Sequence, residues 1–167
     1  KLPEGGMRSV ARPEEERGPL LSDDVVVGVH NTPSQSVVSG PPQALAALHE
    51  QLQRQDIDCQ PLDIDCAAHS PMLEPILQQF GDYLRGIPLS APRIPMLSNR
   101  TGTWLTDSQA TDPEYWVEHL RHPVLFAEGI GVLLEKADRL LLEVGPGKSL
   151  ASLARQHPRA GQGHTFL

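Results

Sequence analysis

Cysteine is nearly absent from this chain of 167 residues, with only Cys59 and Cys66 present. Two cysteines cannot build a disulfide framework, and their spacing matches neither a CxxC redox pair nor a zinc pair, so both are expected as strand residues. Clustered positive charge is also missing. The 14 Lys and Arg are scattered among 21 Asp and Glu, for a formal net charge of -7. That excludes a nucleic-acid partner, because phosphate binding needs a concentrated basic surface. No segment approaches the roughly twenty consecutive apolar residues of a membrane span, and no basic and apolar leader opens the sequence. A membrane partner is therefore not expected, and a cytoplasmic protein is. No internal repeat is found. An initiating Met is lacking too, and "KLPEGGM" reads as the middle of a chain, which predicts a fragment.

What is present falls into two textures. The first third reads as a small α+β unit. Residues 7–12 form a short strand, and "PEEERGPL" (13–20) a helical turn with its proline first and its glutamates near the positive end. "VVVGVH" and "QSVVS" are β-rich runs separated by the turn "NTPS", and Pro42 opens a helix through Gln53 with Leu45, Leu48 and Leu52 on one side. A strand over 59–65 completes the order strand, helix, strand, strand, helix, strand, that of a ferredoxin-like unit. In "PLDIDC", apolar residues alternate from Leu62 through Ile64 to Cys66, the period of a half-buried strand.

From His69 onward the texture is α/β. Ser70 can cap a helix, Pro71 suits its first turn, and Leu73, Ile76, Leu77, Phe80 and Leu84 recur on one face. "PRIPMLSN" (92–99) reads as a buried strand and "RTGTWLT" as a turn with a short extended piece. Asp112 and Pro113 start a helix, and Pro123 another to about Lys136. "RLLLEV" (139–144) is the continuous apolar run of a strand covered on both faces, and "GPGKSLASLARQ" turns from it into a helix. The tail from His157 has no periodicity and is expected to be a linker. Predicted boundaries are 1–66 for the small unit, 67–155 for part of a larger α/β unit, and 156–167 for the linker. This second half supplies too few strands for a parallel sheet, so part of that sheet must come from elsewhere.

His69 stands at the seam between a predicted strand and helix, where α/β proteins often bind substrate. A bridging structural histidine fits the same position. "GPGKS" lacks the glycine five residues before Gly147 that a phosphate loop needs, since position 142 is Leu. "GKSLA" approximates a GxSxG nucleophile elbow and lies between strand and helix, but ends in Ala151. Gly145 and Gly147 are explained as a tight turn that brings the helix close to the strand end. Ser149 stays open as the nucleophile of a small hydrolase. His119 and His122 continue into no known ligand pattern, so no metal site is expected.

Five separated motifs, "GVHNTPSQSVVSG", "CAAHSPMLEPIL", "IPMLSNRTGTW", "DPEYWVEHLRHPVLFAEGI" and "LLLEVGPGKSLASLARQHP", together resemble the C-terminal half of the acyltransferase domain of modular type I polyketide synthases. The likeness runs from Gly5 to Pro158. The family includes the malonyl-CoA:acyl carrier protein transacylases, and the resemblance implies an α/β-hydrolase-like large subdomain carrying a ferredoxin-like small one. It implies that His69 is the catalytic histidine, which takes the proton from a serine attacking an acyl-CoA thioester and later activates the carrier protein's phosphopantetheine thiol. His119 matches the position whose backbone carbonyl orients that imidazole. Asn31 matches an asparagine near the acyl site, and reads equally well as a turn residue. Cys66, Ala67 and Ala68, with His69, occupy the four positions that correlate with extender choice, where HAFH accompanies malonyl and YASH methylmalonyl. CAAH is neither, and the small Ala68 leaves room for a methyl branch.

The family's GHSxG elbow, its oxyanion-hole amides and the arginine that pairs with a dicarboxylic extender are all absent here. The implied partners are acyl-CoA, the acyl carrier protein, the N-terminal half of the domain and a neighbouring ketosynthase, with no bound cofactor. A noncatalytic docking or spacer remnant of a megasynthase is the alternative.

Overall fold

The computed structural model describes residues 2–13 and 20–167. The helical turn expected over 13–20 lies mostly outside the described residues. Strands β1 (Gly6–Val10), β2 (Val26–Thr32), β3 (Gln35–Gly40) and β4 (Cys59–Pro61) pair antiparallel in the order β4-β1-β3-β2. Helix α1 (Pro42–Gln53) joins β3 to β4. It begins and ends where the sequence places it, because Pro42 sits in the first turn and Leu45, Leu48 and Leu52 all fall on the buried stripe. These leucines pack with Val10, Val25, Val38 and Cys59 into the main core. Each such side chain contributes about 1.5–3 kcal/mol on burial. Burial also raises the Cys59 thiol above its ordinary value, against the opposing pull of Arg8.

β4 stops at Pro61, short of the predicted strand end. Its partner β1 starts at Gly6, and beyond Arg8 opposite Pro61 one further bond, from Leu62 N–H to the Met7 carbonyl, continues the ladder. Leu62 and Ile64 are exposed and Cys66 lies outside any strand, so the period-two pattern of "PLDIDC" is not a strand pattern here.

After the loop bearing His69, a 3₁₀ turn (Pro71–Leu73) leads into α2 (Glu74–Arg85). The Ser70 hydroxyl accepts from Met72 N–H, as a cap should. The hairpin β5 (Leu97–Ser98) and β6 (Thr103–Trp104) follows, then α3 (Asp107–Ala110) and α4 (Pro113–Arg121), whose cap Asp112 accepts from Glu114 N–H. α2 and α4 are clasped at both ends by the ion pairs Arg121–Glu74 and Arg85–Glu114, which makes them antiparallel. Pro123 does not begin a helix as expected. Val124–Leu125 is strand β7, parallel to β2 at Val29 and His30, so the small unit's sheet gains a fifth strand from beyond His69. Only then does α5 (Phe126–Leu133) start.

Three further expectations differ from the structure. The run 92–99 holds only the two-residue β5, with Ile94 79% exposed. "RLLLEV" holds only β8 (Leu140–Leu141), with Val144 89% exposed. Among the described residues each of these strands has a single neighbour, β5 with β6 and β8 with β9 (Thr165–Phe166), and Leu140 of β8 is exposed, so β8 is not covered on both faces. Phe166 packs with Ile130, Leu134 and Ala154 in a second small core, so the tail expected to be a linker is in part structured. Helix α6 (Ser149–Arg155) is capped by Glu143, whose two carboxylate oxygens accept from the amides of Leu150 and Ala151. A Cβ at Gly145 or Gly147 would meet none of the described residues within 4 Å, so close packing does not explain these glycines in this structure. No helix of the described residues is long and apolar enough to cross a membrane.

Candidate functional site

His69 does not end a strand; it sits in a turn of the loop between β4 and the 3₁₀ turn, with φ +56°. That left-handed backbone is uncommon for any residue but glycine, and histidine is among the few that visit it. Four contacts hold the turn there. The Ser39 hydroxyl, on β3, donates to the Ala68 carbonyl at 2.6 Å. The Ser70 hydroxyl donates to the Ala67 carbonyl at 2.6 Å. Ala67 packs against Gly5, where a Cβ would come within 2.9 Å of it. The ring Nδ1 of His69 lies 2.9 Å from the backbone carbonyl of His122.

The carbonyl belongs to His122, not to His119 as the sequence suggested. His122 has left helix α4 with φ -98° and ψ 163° and precedes Pro123, whereas His119 lies inside α4. The His119 side chain is nevertheless close by. Its ring centroid is 6.3 Å from that of His69 and 6.0 Å from Trp116, edge to face. Burial, then the neighbouring His69 and Arg100, lower its pKa and favour the neutral ring. Trp116 is fixed in turn by donating from Nε1 to the Ala110 carbonyl at 3.1 Å. His69, Phe80, Leu84, Leu89, Trp116, His119 and Leu120 line an apolar recess of about 260 Å³ between α2 and α4.

The other predicted residues are placed differently. Cys66, Ala67 and Ala68 precede His69 in the loop but are not among the residues lining this recess. Ala67 is buried and Cys66 and Ala68 are half-buried. Asn31 is not a turn residue. It is the irregular position of β2, between His30 opposite Ser36 and Thr32 opposite Gln35, and it faces a separate polar groove with Ser149, Lys148 and Gln156. Among the described residues no histidine lines that groove, so Ser149 has no imidazole partner there. No group of three or more His, Cys, Asp or Glu side chains able to hold a metal occurs among the described residues.

Sequence reasoning missed His122 and Ser39. His122 contributes a backbone atom, which leaves no residue-type signal, although its place before a proline at a helix end marks a carbonyl freed from the helix. Ser39 sits in a β-rich run where a small residue reads as ordinary filler.

The acyl transferase domain family matches residues 1–162. One of the phenolphthiocerol/phthiocerol polyketide synthase proteins of Mycobacterium tuberculosis is 35% identical over 162 residues, 97% of this chain and 11% of that protein. The acyl transferase domain of SpnD, solved in complex with 2-(pent-4-yn-1-yl)malonyl, superposes with a TM-score of 0.91 at 38% identity, covering 98% of this chain and 40% of that one. The acyltransferase domain from the second module of the salinomycin polyketide synthase gives 0.88 at 34% identity, covering 99% and 39%. The present chain thus corresponds to well under half of each solved domain and a small part of the synthase. Motifs, fold and relatives agree, and the chain belongs to the acyl transferase domain family, in the group found in polyketide synthases.

Proposed function

We propose that this chain supplies the general base and the small subdomain of a polyketide synthase acyltransferase that moves a malonyl- or methylmalonyl-type acyl group from coenzyme A to the phosphopantetheine thiol of an acyl carrier protein. The contact between His69 Nδ1 and the His122 carbonyl carries this proposal. A carbonyl only accepts, so Nδ1 holds the proton and the neutral ring keeps its lone pair on Nε2. Nε2 then takes the proton of a serine hydroxyl as its oxygen bonds to the thioester carbon, and passes it to the coenzyme A sulfur as the C–S bond breaks. In the second half, Nε2 takes the carrier thiol's proton as sulfur attacks the acyl-serine, and returns it to the departing serine oxygen. Acyl-CoA and the carrier are substrates, and no resident cofactor is required.

The serine, the oxyanion donors and the carboxylate-binding arginine then belong to the rest of the domain, beside a ketosynthase. Leu142, Val144 and Leu150 are all exposed and line one open recess with Phe126 and Ile130, which supports such a neighbour, since contiguous apolar surface of this kind marks an interaction site. Nothing in the groove at Ser149 favours an independent hydrolase.

The test is a domain that joins this chain to the segment upstream of it, incubated with malonyl-CoA and followed by mass spectrometry of the acyl-enzyme. His69→Ala should slow acylation by roughly a hundred to ten thousand times, the contribution of a positioned base, with melting unchanged. A rate within a few-fold of wild type would make His69 structural and overturn the assignment.

A further inference from the structure

Ser39 is completely buried in the middle of the small subdomain's sheet, yet its hydroxyl leaves the sheet to donate to the Ala68 carbonyl, 29 residues away. The Ala68 carbonyl and the His69 N–H share one peptide plane, so this bond fixes the plane from which the left-handed His69 backbone starts. Gly28, on the adjacent strand β2, shows that the space is kept for it. A Cβ at Gly28 would come within 2.6 Å of the Ser39 hydroxyl oxygen and 3.1 Å of the Ala68 carbonyl oxygen. Ser36, three residues earlier on β3, is equally buried, but its hydroxyl has no hydrogen-bond partner among the described residues. A buried serine on this strand therefore does not require such a bond in order to fit.

We propose that Ser39 is a positioning residue for His69, acting through the Ala68 peptide, and that Gly28 is kept small to leave room for that bond. This role rests on His69 being the base described above. A His69 turn released from Ser39 can relax away from the left-handed region, which moves the ring and breaks the bond from Nδ1 to the His122 carbonyl. With that acceptor lost, nothing selects the Nδ1–H tautomer, and the proton redistributes onto Nε2, the atom that must be bare to act as base. The small subdomain thereby holds the base in register, although it contributes no atom to the proton transfer.

The tautomer can be read by nitrogen NMR of the imidazole side chains in the chain itself. Wild type should show His69 overwhelmingly as Nδ1–H. Ser39→Ala should bring the Nε2–H form up several-fold, to a population comparable with the other. Gly28→Ala should do the same by displacing the hydroxyl, and the double variant should resemble either single one rather than their sum, because both remove one bond. Ser36→Ala, the same substitution on the same strand with no bond to lose, should leave the tautomer alone. Ser39→Cys keeps a donor, though a weaker one, at the same place and should give an intermediate ratio, which preserves the test if the alanine variant fails to fold.

An unchanged His69 tautomer in folded Ser39→Ala or Ser39→Cys overturns the proposal, whatever happens to melting. So does an equal change in Ser36→Ala, which would mean general loosening of β3. The outcome is separable from the assignment of the base: if His69→Ala left acylation intact in the joined domain, the tautomer result would still stand as structure while the catalytic role fell.

Discussion

His69 Nδ1 and the His122 backbone carbonyl, 2.9 Å apart, join two segments 53 residues distant in sequence, one entering α2 and the other leaving α4. The partner is a main-chain oxygen, so the imidazole is oriented by the fold and not by a side chain that a point mutation could remove. His122→Ala should therefore leave acylation in the joined domain within a few-fold of wild type. It deletes only a half-exposed ring paired with Glu118, an interaction of little net worth. Steady-state acylation kinetics check this. A loss approaching that of His69→Ala would mean that the His122 ring, and not its carbonyl, is what matters.

Acid should weaken this fold partly through His119. Burial and the nearby His69 and Arg100 lower its folded-state pKa below the ordinary value of about 6.5. The unfolded chain then binds more protons in the range just below that value, so stability falls as the pH drops through it and is unaffected well above it. His157, lowered by burial and by Arg159, acts in the same direction. Chemical denaturation between neutral pH and about pH 5 should show this decline. His119→Gln, which cannot titrate, should flatten part of it. An identical slope in wild type and variant would remove His119 as a contributor.

The helices of this chain were legible where one face carried a complete periodic stripe. Leu45, Leu48 and Leu52 fixed α1, and Asp112 with Pro113 fixed the start of α4, because caps and stripes are local chemistry. The β-rich runs "VVVGVH" and "QSVVS" were legible too, as β2 and β3, but the later strands were not. An apolar run reports what a strand can pack against, not whether it is paired. Leu62 and Ile64 alternate as well as any strand, yet β1 begins at Gly6, and past the single bond from Leu62 N–H to the Met7 carbonyl the pairing stops. Leu142 and Val144 read as doubly covered, yet the described residues give that run only β9. At the site, the His69 position was visible from its motif. Its support by Ser39, Gly28 and the His122 carbonyl was not, since small residues and backbone atoms carry chemistry only once the chain has folded.

The contrast between two leucines tests where β4 ends. Leu52 is fully buried beneath the sheet, so Leu52→Ala should cost about 2–5 kcal/mol, from lost burial and the cavity left behind. Leu62, 36% exposed, lies one residue beyond β4, and Leu62→Ala should cost under about 0.5 kcal/mol. Urea unfolding of the chain measures both. A cost above about 1 kcal/mol at Leu62, with an unchanged denaturant slope, would show that the strand does continue as its alternation suggests.

Extender choice supplies the sharpest test of the loop before His69. Ala68 is half-buried, and its carbonyl is anchored by Ser39, so its side chain is held at a fixed place next to the base. If that place walls the space beside the extender's alpha carbon, Ala68→Phe should exclude a methyl branch while leaving the thioester and carboxylate contacts alone. In the joined domain, the ratio of methylmalonyl to malonyl kcat/KM should then fall by about tenfold or more, within the range that one methyl group can supply. The ratio is the informative quantity, because a uniform loss on both substrates would only report overpacking against the neighbouring sheet. Competition between the two CoA thioesters, read as the masses of the two acyl-enzymes, gives it in one experiment. A stably folded Ala68→Phe with an unchanged ratio would take residue 68 out of the acyl site and leave extender choice to other residues.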